Sequence, residues 1–138
     1  MGIKTNRRKG LEWEGIVRQW FVDRKVTALA LSPCIAGDIV LLLPTKAVIL
    51  EVKRVNSVTK KYYFGECERK RKQREQLIAL RDGITEVGYL ISWLGEKHRP
   101  ITRYFPVNSL PNSAMASDGM SWEEFCLFIG INSEINNY

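Results

Sequence analysis

Cysteine, histidine and long apolar runs are all scarce in this chain, and each scarcity argues against a class of function. Its three cysteines, Cys34, Cys67 and Cys126, stand far apart and form no CxxC or Cys/His pair. That argues against a zinc site, an iron–sulfur cluster and a disulfide framework. The only histidine, His98, lies in the charged stretch Glu96 to Arg99 and reads as a solvated side chain. The longest apolar run, Ile39 to Leu43, is far too short to span a bilayer. Met1 to Lys9 is basic and leads into no unbroken apolar stretch, so no secretory signal is visible and an intracellular protein is expected. Repeats, low-complexity tracts and linkers are missing too. The 138 residues read as one domain, 1–138, long enough to bury a core without staples.

What is abundant is positive charge. Twenty-one Lys and Arg against fifteen Asp and Glu leave a net charge of +6. The cations cluster, with seven in residues 1–25 and nine in residues 53–74. Clustered cations fit a polyanion, most commonly a nucleic acid. A merely solvated charged surface is the competing explanation. The groups expected to meet a nucleic acid are Arg7, Arg8, Lys9 and Arg18, then Lys60, Lys61, Arg69, Lys70, Arg71 and Lys72.

Hydrophobic spacing orders the elements. A basic arm, residues 1–10, precedes a helix starting near Gly10 or Leu11, with Trp13, Ile16, Val17, Trp20 and Phe21 as its inward stripe. Val26 to Leu31, Ile39 to Leu43 and Ala47 to Val55 read as three strands, too closely spaced for helical crossovers and hence an antiparallel meander. The segment Ser32 to Gly37 breaks the first from the second, and Pro44-Thr45-Lys46 turns the second into the third. Glu66 to about Arg81 is a basic helix stopped by Asp82-Gly83. Val87 to Leu94 is a fourth strand that can run parallel to the third, and Thr102 to Val107 a fifth. A polar loop, Asn108 to Gly119, leads to a helix over about 121–130. Ser121 and Glu124 form its capping box, and Trp122, Phe125, Phe128 and Ile129 its buried stripe. The fold class is α/β: a central mixed sheet containing the three-strand meander, flanked by helices.

The third strand holds the chemistry. In Val48-Ile49-Leu50-Glu51-Val52-Lys53, alternation sends Leu50 and Val52 to one face and Glu51 and Lys53 to the other. A carboxylate and an ammonium in so apolar a strand are costly unless paired or put to use. With Pro44 and Thr45 central in the turn, paired positions sum to 89, and Asp38 falls opposite Glu51. Two adjacent carboxylates repel unless a divalent cation sits between them, and hard oxygen ligands suit Mg²⁺. The Val52 carbonyl can add a further ligand, with Lys53 placed beside an attacking water or a phosphate oxygen. This pattern suits metal-assisted attack on a phosphodiester. An ordinary cross-strand salt bridge is the plain alternative. On the first helix, Glu14 and Glu12 occupy opposite shoulders of the stripe, and periodicity does not choose between them.

Asp38 followed by Glu51-x-Lys53, within a helix–meander–helix–strand order, resembles the PD-(D/E)xK nuclease superfamily with its restriction-endonuclease-like fold. The start Arg8-Lys9-Gly10-Leu11-Glu12-Trp13-Glu14 is similar to that of archaeal Holliday junction resolvases, and its spacing picks Glu14. The similarity spans about residues 7 to 94. It implies a Mg²⁺-dependent endodeoxyribonuclease, with Mn²⁺ as a substitute. Glu14, Asp38 and Glu51 would surround the metal with the Val52 carbonyl, and Lys53 would stand beside the attacking water. It also implies a homodimer acting on branched DNA in recombination and repair. Two positions depart from the resolvase pattern: Gly15 follows the helix glutamate where Arg is usual, and Ala30 with Pro33 and Cys34 replaces an Arg and a Ser/Gly-rich loop. Arg18, one turn after Glu14, is a candidate to replace the first Arg. Another nuclease of the same fold (restriction-type, nicking or exonucleolytic) and a non-catalytic basic DNA-binding protein are the alternatives. For dimerisation the sequence offers two surfaces, Tyr62-Tyr63-Phe64 and the last helix, the latter also explicable as a cap on its own core.

Overall fold

The computed structural model describes residues 6–32, 36–81 and 85–133. The expected breaks at Pro33 to Ile35 and at Asp82-Gly83 lie outside them. The elements are α1 (Asn6–Asp23), β1 (Thr27–Ala30), β2 (Ile39–Leu42), β3 (Ala47–Val55), β4 (Tyr62–Tyr63), α2 (Glu68–Leu80), β5 (Thr85–Trp93), β6 (Ile101–Pro106), β7 (Ser113–Ala114) and α3 (Trp122–Ile129). Five strands form one sheet in the order β1-β2-β3-β5-β6. β1, β2 and β3 are the antiparallel meander, and β5 runs parallel to β3 after the α2 crossover. β6 closes the far edge antiparallel to β5, and β4 pairs with β7 in a separate two-stranded ribbon.

Helices cover both faces. Leu50 and Val52 of β3 point into a core shared with Trp13, Val17 and Phe21 of α1 and Phe125 and Ile129 of α3. The opposite face packs Val87, Tyr89, Ile91 and Trp93 of β5 against Leu77 of α2 and the aromatics Tyr62 and Phe64. Strand alternation thus sends neighbouring residues of β3 into two different cores.

Four details differ from the expectation drawn from the sequence. α1 begins at Asn6, so the basic arm over residues 6–10 is itself helical. Ile16 is 47% exposed, because Trp13, Val17 and Phe21 already fill the contact with the sheet. On α3 the side chain of Cys126 is buried, while Phe128 turns outward beneath the Lys46 ammonium, 4.7 Å from the ring centroid. Tyr62 and Phe64 are buried, so only Tyr63 of that trio is exposed and the stretch is no free interface. The capping box stands as read: Glu124 N donates to Ser121 Oγ at 3.1 Å and Ser121 N to Glu124 Oε1 at 3.2 Å. Among the described residues no helix is long and apolar enough to cross a membrane.

Leu77 is the one fully buried residue of α2, with Leu80 partly buried against the same cluster, so this highly charged helix docks on few apolar side chains. Leu77→Ala is expected to cost about 2–5 kcal/mol of unfolding free energy. Urea denaturation checks the loss.

Candidate active site

The β2–β3 register is the one the turn implies: Ile39 faces Leu50, Val40 Ile49, Leu41 Val48 and Leu42 Ala47. The turn closes where Leu43 N donates to Lys46 O at 3.0 Å. At the other end Asp38 N still donates to Leu50 O at 2.8 Å. One step on, the backbone ladder stops and the Asp38 side chain takes over. Its Oδ2 accepts the Val52 N–H at 2.7 Å. Gly37 makes this entry possible, with φ at +96°, where L side chains are strained, and with Ile49 where a Cβ would stand.

β3 runs on past this fork, paired only with β5. Glu51 lies there, 3% exposed and in register with Tyr89. The Lys53 ammonium is 3.2 Å from Glu51 Oε2. The N–H and C=O of one strand residue point the same way, so the Val52 carbonyl also faces the fork. α1 brings Glu14 beside Asp38 on the wall of the same cleft. Glu12 instead stands 3.6 Å from Arg8 on the outer surface of the helix.

Asp38 therefore interacts with both glutamates. Burial first, then repulsion by Asp38, raises the Glu14 carboxyl to about 7. Burial raises Glu51 to about 8; the neighbouring Lys53 offsets this in part, and Asp38 adds to it. Excess buried negative potential of this kind favours a cation. Among the described residues no three His, Cys, Asp or Glu side chains converge to hold an ion as they stand. In kind, the donors fit Mg²⁺: carboxylates and a backbone carbonyl, with no sulfur or imidazole.

These groups open into a cleft of about 1000 Å³ that Glu14, Asp38 and Glu51 line together. Arg7 enters it from α1, and Arg69 and Lys72 from α2. The remaining cations are dispersed. Arg18 is half-buried on α1, and Lys60 and Lys61 are exposed before β4. Lys70 bonds to Tyr63 O at 2.9 Å and Glu66 Oε1 at 2.7 Å and stacks over Tyr62, so it is committed to the ribbon. Arg71 donates to Gly65 O at 3.0 Å. Gln73 and Gln76 line the cleft and were not anticipated. The signal was present, because Arg69, Lys72, Gln73 and Gln76 are spaced as one helix face.

The raised carboxyls set a pH dependence. A carboxyl held above its ordinary 4.5 contributes its full stability below that value and loses it as pH rises through about 8. Glu51→Gln escapes this loss. In EDTA, the melting temperature of Glu51→Gln relative to wild type is expected to rise between pH 5.5 and pH 9. Calorimetry at matched pH values checks the trend.

No protein-family model matches the sequence, and no curated protein does. Among solved structures the chain is similar to Archaeoglobus fulgidus Hjc, a Holliday junction resolvase from an archaeal hyperthermophile, at 19% identity and a TM-score of 0.58. The match covers 76% of this chain and 80% of that one. At that identity the likeness is one of fold: a central mixed sheet flanked by helices, in the restriction-endonuclease-like arrangement.

Proposed function

We propose that this chain is a Mg²⁺-dependent endodeoxyribonuclease of the PD-(D/E)xK kind, acting on branched DNA as a Holliday junction resolvase does. The observation that carries the reading is the Asp38 carboxylate at the strand fork, flanked by Glu14 and Glu51 with Lys53 beside it. Glu14, Asp38, Glu51 and the Val52 carbonyl would hold the cation. When bound, Mg²⁺ supplies Lewis acidity toward a phosphodiester oxygen and offsets the charge that develops there.

The chain's own groups do the rest. Lys53, 3.2 Å from Glu51, is placed to hold a water by hydrogen bonding and to favour its deprotonation. Arg7, Arg69 and Lys72 grip phosphates on the cleft walls. Glu51 must ionise before a cation can bind, so activity should rise with pH through the range in which Glu14 and Glu51 titrate. Symmetric cutting of two strands needs two such sites, so the reading carries a two-fold homodimer.

The test is a cleavage assay on a four-way junction, a fork, a nicked duplex, a linear duplex and a single strand, with and without Mg²⁺. Mg²⁺-dependent cutting that prefers the junction supports the reading, and paired cuts support the dimer. Asp38→Asn and Glu51→Gln are each expected to lower the cleavage rate by at least about 100-fold while retaining DNA binding. Wild-type rates in either variant would place the chemistry elsewhere.

Binding should also depend steeply on salt. Arg69→Gln with Lys72→Gln is expected to reduce the log–log salt slope by about 2, near one unit per lost phosphate contact. Fluorescence anisotropy over a salt series measures it, and an unchanged slope would remove α2 from the DNA interface.

A further inference from the structure

We propose that a second groove, across α1 from the carboxylate cleft, holds the phosphate backbone of a second DNA strand, so that the first turns of α1 separate two strands of a branched substrate. The proposal rests on the nuclease reading and specifies how its substrate is held.

The placement follows from helical geometry. At about 100° per residue, Arg7, Leu11 and Glu14 fall on one flank of α1 and Lys9 on the other. Trp13 and Val17, both buried, lie between the two flanks and face the sheet. The carboxylate cleft borders the first flank. A groove of about 350 Å³ borders the second, lined by Lys9, Arg54, Asn56, Leu94, Gly95 and Glu96.

β3 serves both grooves. Lys53 and Arg54 are consecutive, so their side chains leave opposite faces of the sheet. Lys53 reaches Glu51 in the cleft, and Arg54 turns to the other groove. There Arg54 Nη2 donates to Asn56 Oδ1 at 3.0 Å.

The segment that follows β5 beside Arg54 continues into more cations. Beyond Gly95 and Glu96 come Lys97, His98 and Arg99, all exposed. His98 lies against Gly95, where a Cβ would meet its ring, and its Nδ1 is 2.7 Å from the Arg99 carbonyl oxygen. The loop is thereby folded onto itself beside the groove. Among the described residues, none of Lys9, Arg54, Lys97 and Arg99 forms an ion pair with a carboxylate. Glu96 is the one acid in the lining, so the groove keeps an unneutralised positive potential suited to a phosphate chain. With that single carboxylate it has no cation-binding set of its own. It can hold a strand but not cut it.

The experiment measures affinity by anisotropy in EDTA, so that nothing is cut. It compares a four-way junction, a linear duplex and a single strand over a salt series. Wild type is set against Lys97→Gln/Arg99→Gln and against Arg54→Gln/Lys97→Gln/Arg99→Gln. The triple variant is expected to lose about tenfold or more in junction affinity, and its salt slope on the junction to fall by about 2 or more. The loss on linear duplex and single strand is expected to be at most about a third of that, so the preference for the junction collapses. If circular dichroism shows the triple variant unfolded, the exposed double variant decides, with an expected junction-specific loss of about threefold. An equal loss on all three DNAs, or no loss, overturns the groove assignment and leaves the nuclease reading standing. Wild type that binds none of the DNAs overturns the nuclease reading itself.

Discussion

A single hydrogen bond organises the candidate site: Asp38 Oδ2 accepting the N–H of Val52 at 2.7 Å. β2 and β3 part at this point, and a buried N–H left by the parting would cost about 1–3 kcal/mol if unmet. The carboxylate meets it and is held at the fork. Held there, Asp38 interacts with Glu51 along β3 and with Glu14 across from α1. Burial, with repulsion by Asp38 added to it, raises both glutamates, and the proposed cation would relieve that charge. The cleft, the basic walls and the division of β3 between two cores are arranged around this point.

Much of this was legible in the residues because strand geometry is rigid. One turn, Pro44-Thr45, fixes the register, and the register carries Asp38 to the stretch of β3 around Glu51, where its side chain bonds Val52 N. Alternation then puts Leu50 and Val52 in one core and Glu51 and Lys53 on the other face. The choice of Glu14 over Glu12 was not legible from periodicity, since both flank the apolar stripe. It depends on how α1 lies across the sheet, which shows as Glu14 near Asp38 and Glu12 near Arg8.

Other features depended on tertiary packing. Tyr62 and Phe64 sit in a polar stretch and read as exposed, yet pairing of β4 with β7 folds them over the β5 face. Ile16 and Phe128 match their helical stripes and still face solvent: Trp13, Val17 and Phe21 fill the contact made by α1, and Phe125, Cys126 and Ile129 that made by α3. Charge count located the basic segments but not their uses. Lys70 is spent on Tyr63, Glu66 and the Tyr62 ring, whereas Arg69 and Lys72, its near neighbours on α2, line the cleft.

The central claim is that the fork of β2 and β3 is a divalent cation site. Crystals grown with Mn²⁺ and measured near its absorption edge test this most directly. The account predicts an anomalous peak between the Asp38 and Glu51 carboxylates, within about 2.4 Å of both and of the Val52 carbonyl, and its loss in Asp38→Asn. Crystals of wild type with no peak at the fork, or with Mn²⁺ held by other residues, would contradict it.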